Sequence, residues 1–311
     1  MALKTRKSDP TRPPRIMIYG VEGVGKTNFA AMAEKAVFIT AEGGTDQCVN
    51  EFGEAVDEVE GVRDWSSLME ALRSIRDDKH DFKTLALDSA DWIEGLAHRH
   101  IVGNSGKTIT TALGGYGAGY RQSQNMHQEL IALLEEIREK RGMKIIPTAH
   151  AHVKTVKDPE SMEDYDAFEI KCHEYVSSLW REWVDALFFV RFRTYIHKSD
   201  EPNAKARAMG DNSRVLYTVK RPAFQAKNRF GMPDEMDFVE NMWPVLNQFF
   251  GKGAQPESRE EVQAEINELI LKVTDKATRE TIVGAVKKDT SSIEKLKKHR
   301  ARIKQLTGSE T

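Results

Sequence analysis

Residues 20–27 read Gly-Val-Glu-Gly-Val-Gly-Lys-Thr, a G-x-x-x-x-G-K-T string without a mismatch. This string constrains the fold more than any other stretch, because it works only between a strand and a helix. Both flanks have that character. Arg15-Ile16-Met17-Ile18-Tyr19 is a short apolar run, and Asn28-Phe29-Ala30-Ala31-Met32-Ala33-Glu34-Lys35 is rich in helix formers. In such a turn, successive backbone N–H groups wrap a phosphate chain, and the helix N-terminus adds a favourable dipole. Gly20, Val21, Glu22, Gly23, Val24, Gly25, Lys26, Thr27 and Asn28 are therefore expected to cradle ATP. Lys26 would reach the β- and γ-phosphates, and the Thr27 hydroxyl would ligate Mg2+.

The rest of the chain agrees with an α/β reading. Apolar runs at 36–41, 84–88, 143–150 and 186–192 alternate with helical spacing at 65–76 and 124–141. That alternation predicts a mostly parallel sheet flanked by helices. Pro147 is awkward in a central strand, since it donates no ladder hydrogen bond, and a bulge is expected there. Residues 190–197 and 214–221, joined by the polar stretch 198–213, suggest an antiparallel extension of the sheet.

Four segments are expected. Residues 1–14 form a basic, mobile tail with Lys4, Arg6, Lys7 and Arg12, and residues 15–250 form the core. Residues 251–256, rich in Gly with Pro256, read as a linker. Residues 257–311 form a small helical module in which Val262, Ile266, Leu269, Ile270 and Val273 share one helical face. The net charge of −2 excludes a wholesale polycation, so any nucleic-acid contact must come from local basic surfaces. Cys48 and Cys172 stand alone, in keeping with a reducing cytoplasm. No run approaches the ~18 apolar residues that span a bilayer.

Further residues gather at the same expected site. In a parallel sheet the carboxyl ends of the strands meet on one edge, where the ligand sits. Asp88 ends Leu85-Ala86-Leu87 and is placed to hold Mg2+ with Thr27. Glu42 follows Val37-Phe38-Ile39-Thr40-Ala41 and is placed to accept a proton from attacking water. His150 ends a later strand on that edge and is placed to sense the γ-phosphate. His152, Cys172 and His173 lie nearby in sequence, but their spacing is not that of a closed zinc site. Gly103-Asn104-Ser105-Gly106-Lys107-Thr108 ends in Gly-Lys-Thr, yet Ile101 stands where the first Gly belongs, so it reads as a flexible loop.

The order P-loop, Glu42, Asp88, His150 resembles the RecA-type ATPase core, with His150 where RecA carries a glutamine sensor. Phe38-Ile39-Thr40-Ala41-Glu42 is similar to the segment bearing the catalytic Glu of RecA-like recombinases. Ala226-Lys227-Asn228-Arg229-Phe230-Gly231-Met232-Pro233 and Trp183-Val184-Asp185-Ala186 resemble segments of the small phage AAA-domain ATPases, a group including single-domain recombination and annealing proteins. The resemblance covers residues 14–250. It implies a Mg-ATP-dependent ATPase acting on single-stranded DNA, assembled as a homo-oligomer with ATP at the subunit interface. By the same resemblance Lys227 and Arg229 are trans-acting cationic fingers. DNA would be met by two loops, the first offering Tyr116, Tyr120 and Arg121 and the second Lys154, with aromatic stacking and phosphate contacts. Residues 287–302 are a candidate contact for nucleic acid or a partner, and the tail as a whole for a single-strand binding protein. A RecA-like helicase or helicase loader, and a nucleotide-gated assembly module without DNA, stay open as alternatives. A small-molecule kinase is disfavoured by the lack of an Arg-rich lid after a strand.

Overall fold

The computed structural model describes residues 5, 7, 9–40, 43–157, 163–197, 207–209, 212–250, 259–273, 275–288, 296, 299–300 and 302–304. The chain divides into two compact units, Met1–Gly253 and Ala254–Thr311.

The first unit is built on a ten-stranded sheet. Its centre consists of β1 (Ile16–Gly20), β2 (Ala36–Thr40), β3 (Asp57–Glu58), β4 (Thr84–Asp88), β5 (Lys144–Val156) and β7 (Ala186–Phe192). These run parallel, in the spatial order β7-β1-β5-β4-β2-β3. Antiparallel strands extend it. β10 (Arg214–Tyr217) pairs with β7 and β12 (Glu235–Asp237) with β10, while β6 (Tyr165–Ile170) and β11 (Lys227–Asn228) pair with β5 and β7. The expected mixed α/β architecture is therefore present.

β1, β2, β4 and β7 are almost continuously buried because both faces of the sheet are covered there. Met17 and Tyr19 point into one core, under α2 (Trp65–Asp77), α3 (Ala90–Val102), α4 (Ala118–Arg141) and α5 (Glu174–Trp183). Ile16 and Ile18 point into the other, under α1 (Lys26–Ala31) and α6 (Trp243–Leu246). The alternation follows from the two-residue period of a strand. Trp243 closes the second core, and its indole N–H donates to the Phe29 carbonyl at 2.8 Å.

In the second unit, α7 (Arg259–Lys272) and α8 (Lys276–Lys288) contribute to a separate apolar cluster. Val262, Ile266, Leu269, Ile270 and Val273 all enter it, with Val286, Leu296 and Ile303. Among the described residues no helix is long and apolar enough to cross a membrane.

Four expectations need correction. Pro147 makes no bulge: it lies inside β5 as the last residue in register with β4, and from Thr148 onward β5 pairs with β1. β5 does not stop at His150 but runs to Val156 and forms an antiparallel ribbon with β6, so the supposed second loop is largely strand. The stretch between β7 and β10 holds its own two-stranded ribbon, β8 (Tyr195–His197) with β9 (Arg207–Met209). The N-terminal segment is tied down from Arg12 onward. Arg12 pairs with Glu139, the Pro13 carbonyl accepts from Arg138, and the Pro14 carbonyl accepts from the Ile145 N–H.

Candidate nucleotide-binding site

The P-loop connects the end of β1 to the start of α1. Gly20 lies beside Val190 in the sheet, and a Cβ on Gly20 would stand 2.1 Å from the Val190 carbonyl oxygen, so only glycine fits. Gly25 has φ 101°, the left-handed region that glycine enters without strain. α1 then begins at Lys26 with no side-chain cap. Its first N–H groups therefore have no side-chain acceptor from the chain at its cap, which suits a bound anion. Lys26 is only 6% exposed, and its ammonium donates to the Gly20 and Val21 carbonyls at 3.3 and 3.0 Å. The cation is thus held inside the turn of the loop.

Asp88 stands opposite. Its Oδ2 accepts from the Thr27 hydroxyl at 2.7 Å, and its Oδ1 accepts from the Thr148 hydroxyl. Thr148, fully buried, was not singled out from the sequence. A signal existed: it precedes His150 by two residues and so faces the same side of the strand. The peptide between Asp88 and Ser89 is cis.

Strand register carries the remaining residues to this edge. His150 lies level with Gly20, and Thr40 level with Asp88. The His150 backbone N–H donates to Asp91 at 3.0 Å and its Nδ1 contacts the other Asp91 oxygen at 2.9 Å. Burial pushes the Asp91 carboxyl up, but the hydrogen bonds and charge from His150 outweigh it and hold it below the ordinary range. Glu42 lies outside the described residues. Its flanks are braced by Glu58, which accepts from the Thr40 hydroxyl at 2.7 Å and the Thr45 hydroxyl at 2.6 Å.

A family model for the AAA domain matches residues 12–230, more than half of the chain. The chain belongs to the AAA-domain family. It is accordingly a nucleotide-dependent ATPase. A comparison with curated proteins finds no match.

AAA-domain ATPases typically use a divalent ion, and the residues here fit one. The Thr27 hydroxyl and the Asp88 carboxylate are hard oxygen donors side by side, the type that Mg2+ takes alongside phosphate and water oxygens. Among the described residues no group of three or more His, Cys, Asp or Glu is placed to hold a metal. A nucleotide-site ion needs no such cage.

The remaining predicted residues are spread more widely. Tyr116 is 98% exposed, just before the Gly117 cap of α4. Tyr120 and Arg121 are not in that loop but in the first turn of α4. One face of Tyr120 is stacked on His173, with centroids 4.0 Å apart, so it does not offer two open faces to a base. Arg121 donates to the Tyr116 carbonyl at 3.2 Å, and Lys154 pairs with Glu174 at 3.7 Å. Lys227 and Arg229 lie at the opposite edge of the sheet from the P-loop, beside the first residues of β7. The Lys227 ammonium is committed within its own chain: it donates to the carbonyls of Arg181, Glu182 and Val184 at 3.0, 3.1 and 2.6 Å, closing the C-terminal end of α5. A finger needs a mobile cation, so Lys227 is corrected to a helix cap. Arg229 has a side chain 54% exposed and pairs with Asp185 at 3.3 Å.

Proposed function

We propose that the protein is a Mg-ATP-dependent, RecA-like ATPase that acts on single-stranded DNA in phage recombination or annealing, as a homo-oligomer. The observation that carries the ATP half is the 2.7 Å bond from Thr27 to Asp88, which joins the P-loop to the end of β4. Thr27 and Asp88 would hold a Mg2+ ion, whose charge would offset that of the triphosphate. Lys26 binds the phosphates, Glu42 accepts a proton from water, and His150 reports the γ-phosphate through Asp91.

Support for the DNA half is the loop 103–117, where Tyr116 and Leu113 project into solvent at 98% and 59% exposure. Base–aromatic stacking contributes ~1–3 kcal/mol per base. Arg121 and Lys154 flank that surface as phosphate contacts. Arg229 acts on ATP bound to the neighbouring subunit.

The test is the ATPase rate with and without oligo-dT at two salt concentrations. Stimulation that fades as salt rises is expected for a backbone-dominated contact. A rate indifferent to oligo-dT would favour an assembly module without DNA, and unwinding of a duplex would favour a helicase. In the same assay Lys26→Ala should abolish hydrolysis, whereas Glu42→Ala should keep ATP binding and lose turnover. Normal hydrolysis by Glu42→Ala would remove Glu42 from the role of base.

A further inference from the structure

Arg214 is the first residue of β10, two strands away from the P-loop's own strand. Its main chain is fixed by pairing with Phe192 and by the Phe238 N–H, which donates to the Arg214 carbonyl at 2.8 Å. Its guanidinium lies over the Phe238 ring, 5.2 Å from the centroid. From there Nη1 donates to the Val24 carbonyl at 3.2 Å. Among the described residues Arg214 makes no ion pair, so its charge is directed at the P-loop and not at a carboxylate.

The peptide joining Val24 to Gly25 is a rigid trans plane, with the Val24 C=O and the Gly25 N–H pointing opposite ways. Val24 itself is buried in the second core, which anchors one end of that plane. A cation that holds the carbonyl outward therefore turns the Gly25 N–H inward, toward the cradle. It also polarises the peptide, strengthening that N–H as a donor. The close approach depends on glycine, since a Cβ on Gly25 would stand 2.7 Å from Nη1.

We infer that Arg214 is a positioning residue for the nucleotide site: its hydrogen bond to the Val24 carbonyl aims and strengthens the Gly25 N–H as a phosphate ligand. This rests on the reading of residues 20–27 as the phosphate cradle. Arg214 acts from the outer side of the loop and does not touch the phosphates. Arginine suits the position because its planar group stacks on Phe238 while its edge donates, which a lysine ammonium reproduces only in part.

The test compares wild type, Arg214→Ala and Arg214→Lys by calorimetric titration with Mg-ATP, alongside the Gly25 amide cross-peak in glycine-labelled protein. Wild type should bind ATP and shift the Gly25 amide proton downfield. Arg214→Ala should bind about tenfold more weakly, a change of about 1.4 kcal/mol, with a smaller Gly25 shift and an unchanged melting temperature. Arg214→Lys should recover part of both. Undiminished affinity in Arg214→Ala, or a wild-type Gly25 amide that ATP leaves in place, overturns the assignment. If Arg214→Ala fails to fold, the wild-type amide shift and Arg214→Lys decide. Wild type that takes up no ATP would instead overturn the cradle reading itself.

Discussion

Glu94 sits on α3 one turn after Asp91, and both its oxygens accept from the His173 backbone N–H at 3.0 Å. Burial pushes its carboxyl up from 4.5 to about 7, against the pull of that N–H and with the nearby Asp91 charge adding. The folded protein thus keeps this proton to higher pH than the unfolded chain. The stability Glu94 contributes is complete below about pH 4.5 and is lost as pH rises through 7, by up to about 3 kcal/mol. His127, fully buried and pushed down from 6.5 to about 4 mainly by burial, has the opposite slope: its contribution is lost as pH falls from 6.5 toward 4. Glu94→Gln isolates the first effect. In urea denaturation its stability relative to wild type should grow between pH 5 and pH 8. A difference that stays constant with pH would show that Glu94 titrates normally.

Helix α5 ends against a cation supplied by a strand. Its last carbonyls have no partner within the helix, and Lys227 on β11 meets three of the terminal carbonyls at once. Lys227→Met should therefore cost about 1–2 kcal/mol of stability, read as a lowered urea midpoint, while the folded fraction keeps its ATPase rate. A collapse of turnover without loss of stability would restore the finger role. The β5–β6 ribbon matters at the same level. It places Lys171, whose N–H donates to the His150 carbonyl at 2.8 Å, and His173 directly beside α3. β5 is thereby joined by backbone to the segment that leads into α5 and stacks on Tyr120.

The two units have separate cores: the clusters above and below the sheet draw on residues up to Phe250, and the cluster of the second unit on residues from Val262. Every described nucleotide-site residue lies in the first unit. A chain ending at Gly253 should consequently fold cooperatively and bind Mg-ATP with unchanged affinity. Loss of nucleotide binding on that truncation, with a native circular-dichroism spectrum, would assign residues 254–311 a part in the site. The oligo-dT dependence of the truncated chain then tells whether the second unit bears on DNA.

The strand–turn–helix around residues 20–27 could be read because its signal is local: glycines at a turn, a lysine and a threonine at a helix start. The parallel sheet was equally legible, since strands buried on both faces leave continuous apolar runs. Asp88 followed as a residue at a strand end, whereas His150 lies inside a strand that runs on to Val156. Partnerships across the sheet were not legible, because register and side-chain direction carry them. Nothing local to Thr148 announces its bond to Asp88, nor Asp91's to His150, nor Arg214's to the Val24 carbonyl 190 residues away. Lys227 shows the converse: a basic residue in a family-like string has its charge consumed by a helix end that folding alone brings beside it.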